Sequence, residues 1–415
     1  MNIYFYIILV TLLIGFILDL IADYLNLKKL GEPLPDEFKD VYSPERYLKS
    51  QEYTKVRTKF GFITSTLSLI AMLFFWFSGG FNYLDLLISQ YSDNLITRGL
   101  LYIGVLAFAG SILSLPFSLY STFVIEEKFG FNKTSPKTFV LDLIKSFFLS
   151  LILGAPLLAL ILYIIDSAGE YAWLYGWGAV TVFSLIVQYI APTYIMPIFN
   201  KFKPLEDSDL RNAIMQYAEK VKFPLKNVFI MDGSRRSTKG NAFFTGFGKN
   251  KRIALFDTLM EKHTIAEIVS IIAHEVGHFK KKHILIGTAI GFVHTGLLFF
   301  LLSLFLGQKE LYDAFFMQNQ PIYAGLLFFG MLYSPVESLL SIGLNLLSRK
   351  NEYEADEFAV KTTQDKESMI KTLKNLSETN LSNLTPHPFY VFLNYSHPTV
   401  LQRIERIRKI SLNSN

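Results

Sequence analysis

The sequence predicts a mainly α, polytopic membrane protein with a small sheet in its longest polar segment. Three observations carry that prediction. The 415 residues are 51% hydrophobic and only 18% charged, too apolar and too charge-poor for an ordinary soluble protein of this length. Seven apolar stretches reach the roughly 20 residues that a helix needs to cross a bilayer. Segment 194–283 holds short runs bounded by glycine, asparagine and lysine, which read as strands and turns.

The spans fall near 3–24, 60–79, 99–123, 139–164, 171–193, 284–307 and 322–347. The first is read as a retained span and not a signal peptide, because Met1-Asn2-Ile3-Tyr4 has no basic region and no small-residue cleavage site follows. Lysine and arginine between spans set the orientation. The loop after the first span holds Lys28, Lys29, Lys39, Arg46, Lys49, Lys55, Arg57 and Lys59, and the loop after the third holds Lys128, Lys133 and Lys137. The alternate loops carry only Arg98 and Lys309, so the basic loops face the cytoplasm and the amino terminus lies outside or in a lumen. Four parts follow: spans one to five (1–193), a cytoplasmic segment (194–283), spans six and seven (284–347) and a cytoplasmic helical segment (348–415). Within 194–283, residues 207–221 read as a helix and 227–232, 241–247 and 252–257 as strands, the last two joined by Gly248-Lys249-Asn250-Lys251.

Zero cysteines exclude disulfides, thiolate ligands and a cysteine nucleophile, leaving His, Asp and Glu to bind any metal. The net charge of +5 is modest, and its basic residues cluster beside spans. Contact with lipid headgroups is therefore expected, and nucleic acid is not.

His274-Glu275-Val276-Gly277-His278 puts two imidazoles four residues apart on a run that is helical in its apolar spacing, from Ile265 to Ala273. Residues four apart share a helix face, so both rings can reach one ion while Glu275 sits one step round as a base. Thr264 with Glu267 reads as the capping box that starts this helix. The pattern is that of a zinc protease, which takes a third protein ligand. His283 is the nearest candidate in sequence, but the metzincin arrangement needs a glycine and a histidine where this chain has Lys281 and Ile284. Glu352, just past the last span, would complete a two-histidine, one-glutamate site, with Asp356 on the same face to hold a ligand ring. Spacing alone leaves open a solvated acidic face made of Glu352, Glu354, Asp356 and Glu357.

HEVGH, then Asn351-Glu352-Tyr353-Glu354-Ala355-Asp356 after two further spans, then Tyr395-Ser396-His397-Pro398, resembles the integral-membrane type I CAAX prenyl proteases. The match extends to Glu126-Glu127-Lys128-Phe129-Gly130-Phe131-Asn132, to Pro197-Ile198-Phe199-Asn200-Lys201-Phe202, and to Asn241-Ala242-Phe243-Phe244 ahead of Lys249 to Leu259. The resemblance implies seven transmembrane helices enclosing a water-filled chamber, and hydrolysis that removes the last three residues of a prenylated Cys-a-a-X protein. It implies one Zn2+ per chain on His274, His278 and Glu352, with Glu275 as general base. Asp356 would orient a zinc histidine or donate a proton, His397 and Arg403 would line the catalytic site and stabilise the tetrahedral intermediate, and Asn241 and Ala242 would hold the substrate backbone. Three positions depart from the family pattern: Lys239 and Gly240 replace a histidine and a serine, and Phe243 replaces a tyrosine.

Two other readings fit some of these residues. A quality-control protease would use the same chemistry without prenyl dependence, and a non-catalytic chamber or transporter would hold structural zinc but have no use for Glu275. Among the remaining polar residues, Glu337 is expected to line the chamber, and His294 and Asn345 to bond between helices. His263 and His387 are expected at the surface, and Lys280, Lys281, Lys282 and His283 at the membrane boundary. The ending Ser411-Leu412-Asn413-Ser414-Asn415 carries no retrieval signal, so a bacterial plasma membrane and an endoplasmic reticulum membrane are equally compatible.

Overall fold

The structure, a computed structural model, describes residues 1–245 and 251–412. Seven of its helices are long and apolar enough to cross a membrane: Ile3–Lys28, Pro44–Phe77, Leu95–Glu126, Pro136–Ser167, Gly169–Phe199, His283–Phe305 and Ile322–Thr363. They fall where the apolar stretches lie and run past them. The second starts at Pro44, whose missing N–H costs nothing in the first turn, and the Ser43 side chain caps it by accepting from the Arg46 N–H. Its charged first third therefore projects beyond the apolar part. The seventh continues about 16 residues beyond the apolar stretch, roughly 24 Å at the helical rise, and that projection carries Glu352 and Asp356. The third span ends in a wide π turn, Ser121–Glu126, and the fifth holds one, Ala191–Ile195, just before its last four residues. The second of these contains Pro192, which cannot donate to the regular helical ladder.

Aromatic packing joins the membrane helices at the end away from the metal-type motif. Phe315 and Phe328 stack at 3.8 Å, Trp76 stacks on Phe315, and the Trp76 indole N–H donates to Ala314 O at 2.8 Å. Nearby, fully buried Asp85 accepts from Arg98 at 3.0 Å and from the Tyr323 hydroxyl. Deeper in the spans the His294 ring stacks on Tyr333 and lies 3.1 Å from a Glu337 oxygen, and Asn345 donates to Leu393 O at 3.1 Å. Both expected interhelical partners are thus side chains that bridge to another element.

The polar segment folds as a four-stranded sheet, β1 (Phe202–Pro204), β2 (Leu225–Met231), β3 (Ala242–Thr245) and β4 (Lys251–Phe256), in the order β1-β2-β4-β3. β2 and β4 run parallel, and the outer strands pair antiparallel to them. The three strands expected from sequence fall on β2, β3 and β4, while positions 246–250, including the expected turn, lie outside the described residues. β1 is three residues long and gives no periodic signal of its own. The helix expected at 207–221 is Asp209–Lys220, started by the Ser208 side chain accepting from the Arg211 N–H.

Val228, Ile253 and Leu255 of the sheet pack against Ile268, Ile272 and Val276 of the HEVGH helix, Ile265–Lys280, in one buried cluster. Arg236 ties this unit to the membrane helices by donating to both Asp142 oxygens, at 2.8 and 3.0 Å, and to Phe199 O at 2.7 Å. Lys239 does the same through the Tyr53 hydroxyl at 2.9 Å and Glu126 at 3.0 Å. Of the last helices, Lys366–Thr379 and Val400–Arg408 form a separate core in which Ile370 and Ile404 pack with Phe38 and Tyr42, and Pro388–Asn394 packs on the first and seventh long helices.

Candidate active site

The site begins with the start of the HEVGH helix. Thr264 Oγ1 accepts from the Glu267 N–H, and the Glu267 carboxylate accepts in return from the Thr264 N–H, the reciprocal capping box that the sequence announces. The same carboxylate meets the His263 ring at 2.9 Å, so that ring is 1% exposed and not at the surface as expected. His387 is also half-buried: its ring accepts from Phe389 N at 3.2 Å and caps the helix that follows. With the apolar face turned to the sheet, His274 and His278 share the opposite side, one turn apart.

Gly277 explains how a second helix reaches them. A Cβ there would stand 3.0 Å from both Cα and O of Ala355, so the two backbones touch where no side chain intervenes. Glu352, one turn before Ala355 on that helix, is thereby delivered to the histidines.

Three side chains converge. His274 Nε2 and His278 Nε2 are 3.1 Å apart, and they lie 3.3 and 3.2 Å from the two Glu352 carboxylate oxygens. Ligand atoms about 2.0 Å from one tetrahedral ion stand roughly 3.3 Å from each other, so the spacing is that of a zinc-type ligand set. Glu352 Oε2 is moreover buried without a hydrogen bond, an orphaned lone pair that a cation would satisfy. Among the described residues this is the one cluster of histidine, aspartate and glutamate able to hold a metal ion.

Asp356 stands behind His274, its Oδ1 2.8 Å from the ring Nδ1. Arg403 binds both oxygens of that carboxylate, donating to Oδ2 from Nε at 2.8 Å and to Oδ1 from Nη2 at 2.6 Å, and its Nη2 lies 3.4 Å from His274 Nδ1. Burial disfavours a charge on His274, but bonds to Asp356 and Glu352 outweigh it and hold the ring's pKa up at about 9. Burial likewise works against the Arg403 charge, and Asp356 more than compensates. Arg403 is thus committed to Asp356, with Nη1 3.4 Å from Glu352 Oε2.

Burial raises the Glu275 carboxyl above the ordinary range against the opposing pull of His274 and His278. His397 completes the rim: its Nε2 lies 3.3 Å from Glu352 Oε1, its side chain is 62% exposed, and its Nδ1 is 3.0 Å from Ser396 Oγ. A serine hydroxyl donating to Nδ1 leaves the ring proton on Nε2, facing the site. Asn241 and Ala242 do not join this cluster. They lie at the start of β3, the outer strand of the sheet that packs on the HEVGH helix, and Asn241 O accepts from Phe256 N at 3.0 Å. Lys239 has its ammonium 4.2 Å from the Phe131 ring centre as well as on Tyr53 and Glu126, so the departure from the family pattern is an anchor for the loop leading into β3.

Sequence reasoning missed the place of His283. Expected at the membrane boundary with three lysines, it is 6% exposed, and its ring contacts His278 at 3.1 Å and Glu354 at 3.2 Å. The cause is a break in the backbone: Lys282 takes a left-handed φ of +61° between the two helices, and four polar residues in a row give no sign of it. Lys280 stays at the surface, where it donates to Lys222 O at 3.1 Å.

Comparison with known proteins places this geometry. Residues 23–201 match the family described as CAAX prenyl protease N-terminal, five membrane helices, and residues 204–411 match peptidase family M48. The CAAX prenyl protease 1 homolog of Arabidopsis thaliana is 38% identical over 412 residues, spanning 95% of this chain and 96% of its own length. CAAX prenyl protease 1 of Saccharomyces cerevisiae is 34% identical, with 94% of this chain and 91% of that protein covered. The crystal structure of S. mikatae Ste24p superposes with a TM-score of 0.90 at 33% identity, covering 98% of this chain and 99% of that one.

Proposed function

The chain belongs to peptidase family M48, a multi-pass membrane metalloendopeptidase, and we propose that its substrates are prenylated CAAX-type proteins, from which it removes the last three residues. The observation that carries this reading is the convergence of His274 Nε2, His278 Nε2 and Glu352 beside Glu275. The names of the relatives, CAAX prenyl proteases, support the substrate class.

His274, His278 and Glu352 would hold one zinc ion, which would supply Lewis acidity at the scissile carbonyl. Glu275 takes a proton from the attacking water and returns it to the leaving amine, a task its raised pKa suits. His397 Nε2 donates to the oxygen on which charge develops. Arg403 holds Asp356, and Asp356 holds the His274 ring by its Nδ1. Asn241 and Ala242 present the outer edge of β3, to which an extended peptide adds as a further strand. The basic loops support a site on the cytoplasmic side of the membrane.

The test compares farnesylated and unmodified versions of one peptide with purified protein. Release of the last three residues from the farnesylated peptide alone is expected. Equal cleavage of both removes prenyl dependence from the reading and leaves a protease of the quality-control kind.

A further inference from the structure

The His283 ring stands between the second metal-type histidine and an acidic residue that the site does not otherwise use. We propose that His283 and Glu354 act as positioning residues, fixing the tautomer and orientation of His278 as a metal ligand. The inference rests on the ligand set proposed above and goes beyond it.

The hydrogen bonds admit one consistent arrangement. His278 Nε2 faces His274 and Glu352, at 3.1 and 3.2 Å, so a neutral ring that offers this atom to a cation must carry its proton on Nδ1. That Nδ1 lies 3.1 Å from Nδ1 of His283, which must therefore accept. The His283 proton then sits on Nε2, 3.2 Å from the Glu354 carboxylate, which can only accept while ionised. Each ring donates once and accepts once. The acidic end sets the polarity of the chain, and the reverse polarity would put a proton on the atom that must be free.

The backbone is built for this contact. The HEVGH helix stops at Lys280, Lys282 takes the left-handed conformation that a β-carbon disfavours, and the next helix starts at His283 with its side chain folded back against His278. A histidine this buried where a helix enters a membrane would otherwise leave polar nitrogens against apolar neighbours.

The two ligands are then held by one rule through different lengths. His274 reaches a carboxylate directly at Asp356, and His278 reaches one through an intervening ring. Glu352 and Glu354 leave the same helix in different directions, yet both end on His278, one at Nε2 and the other by way of Nδ1.

The experiment measures zinc affinity of the purified full chain by competition with a chelator, with the visible spectrum of the cobalt-substituted protein as a report on ligand geometry. His283→Leu is expected to weaken zinc about 10- to 100-fold, the usual effect of losing such a partner, and to alter the cobalt spectrum. His283→Asn should restore most of both, because its Oδ1 stands where Nδ1 accepts. Glu354→Ala should weaken zinc several-fold and add nothing in the His283→Leu background. Parental zinc affinity in His283→Leu, an equal loss in His283→Asn, or multiplying losses in the double variant each overturn the proposal. Should His283→Leu fail to fold, the exposed-side variant Glu354→Ala and His283→Asn decide it. His278→Ala separates the two readings: if it binds zinc normally, the ligand set fails, and not the positioning chain alone.

Discussion

Asp356 and Arg403 meet through two hydrogen bonds, at 2.6 and 2.8 Å, deep beneath the histidine that Asp356 also holds. An ion pair this far from water is sustained only by its geometry, since each partner alone would be a stranded charge. Arg403→Ala should therefore cost about 3–5 kcal/mol of stability, seen as a lower thermal midpoint. Arg403→Lys should recover little, because an ammonium cannot make the paired contact.

Asp356→Asn keeps the shape but weakens the acceptor at His274 Nδ1. Zinc affinity is expected to fall by about 10- to 100-fold, measured by chelator competition. An unchanged affinity would show that His274 needs no carboxylate behind it.

Gly277 lies against the Ala355 backbone, and backbone cannot swing aside as a side chain can. Gly277→Ala should push the two helices apart, destabilise the fold by about 1–3 kcal/mol and draw Glu352 off the histidines. Thermal melts and zinc titration together test this: a stable variant with parental zinc affinity would mean the approach is not limiting.

Much of this was legible in the sequence. The spans, the capping box at Thr264 and the shared face of His274 and His278 follow from spacing and helix geometry, whereas Glu352 with Asp356 is one of two readings that spacing allows and is singled out by the family resemblance. What stayed hidden depended on contacts between distant segments or on backbone turns without a residue signature. Arg403 is reached in the sequence only through the family resemblance, because no spacing announces the contact with Asp356 on which the fold buries it. His283 reads as one more polar residue at a membrane boundary, because the left-handed turn at Lys282 falls on a lysine where a glycine would have announced it. In the sequence Lys239 is only a departure from the family pattern, and the Tyr53 and Glu126 contacts are what show it as an anchor.

That anchor gives a further prediction. Lys239→Ala releases the loop that leads into β3 from two membrane helices. KM for a CAAX peptide should rise several-fold with kcat little changed, as expected when binding and not the chemical step is weakened. A fall in kcat at constant KM would place Lys239 in the chemistry instead.

The pH dependence of metal binding follows from His274. With its pKa held at about 9, the metal-free ring is protonated at neutral pH, and zinc must displace that proton. Apparent zinc affinity should therefore rise with pH, by close to tenfold per unit for a single proton, and level off above pH 9. A flat profile between pH 6 and 9 would contradict the hydrogen-bonded, charged state of the His274 ring without metal.

The central claim is that Glu275 moves the proton while His274, His278 and Glu352 hold the metal. Glu275→Gln tests it most directly, with zinc content and farnesyl-peptide cleavage measured on one preparation. The expected result is a zinc content equal to that of the parent protein measured alongside, with cleavage slowed by roughly a hundred- to ten-thousandfold. Zinc in place with cleavage at the parental rate would contradict it.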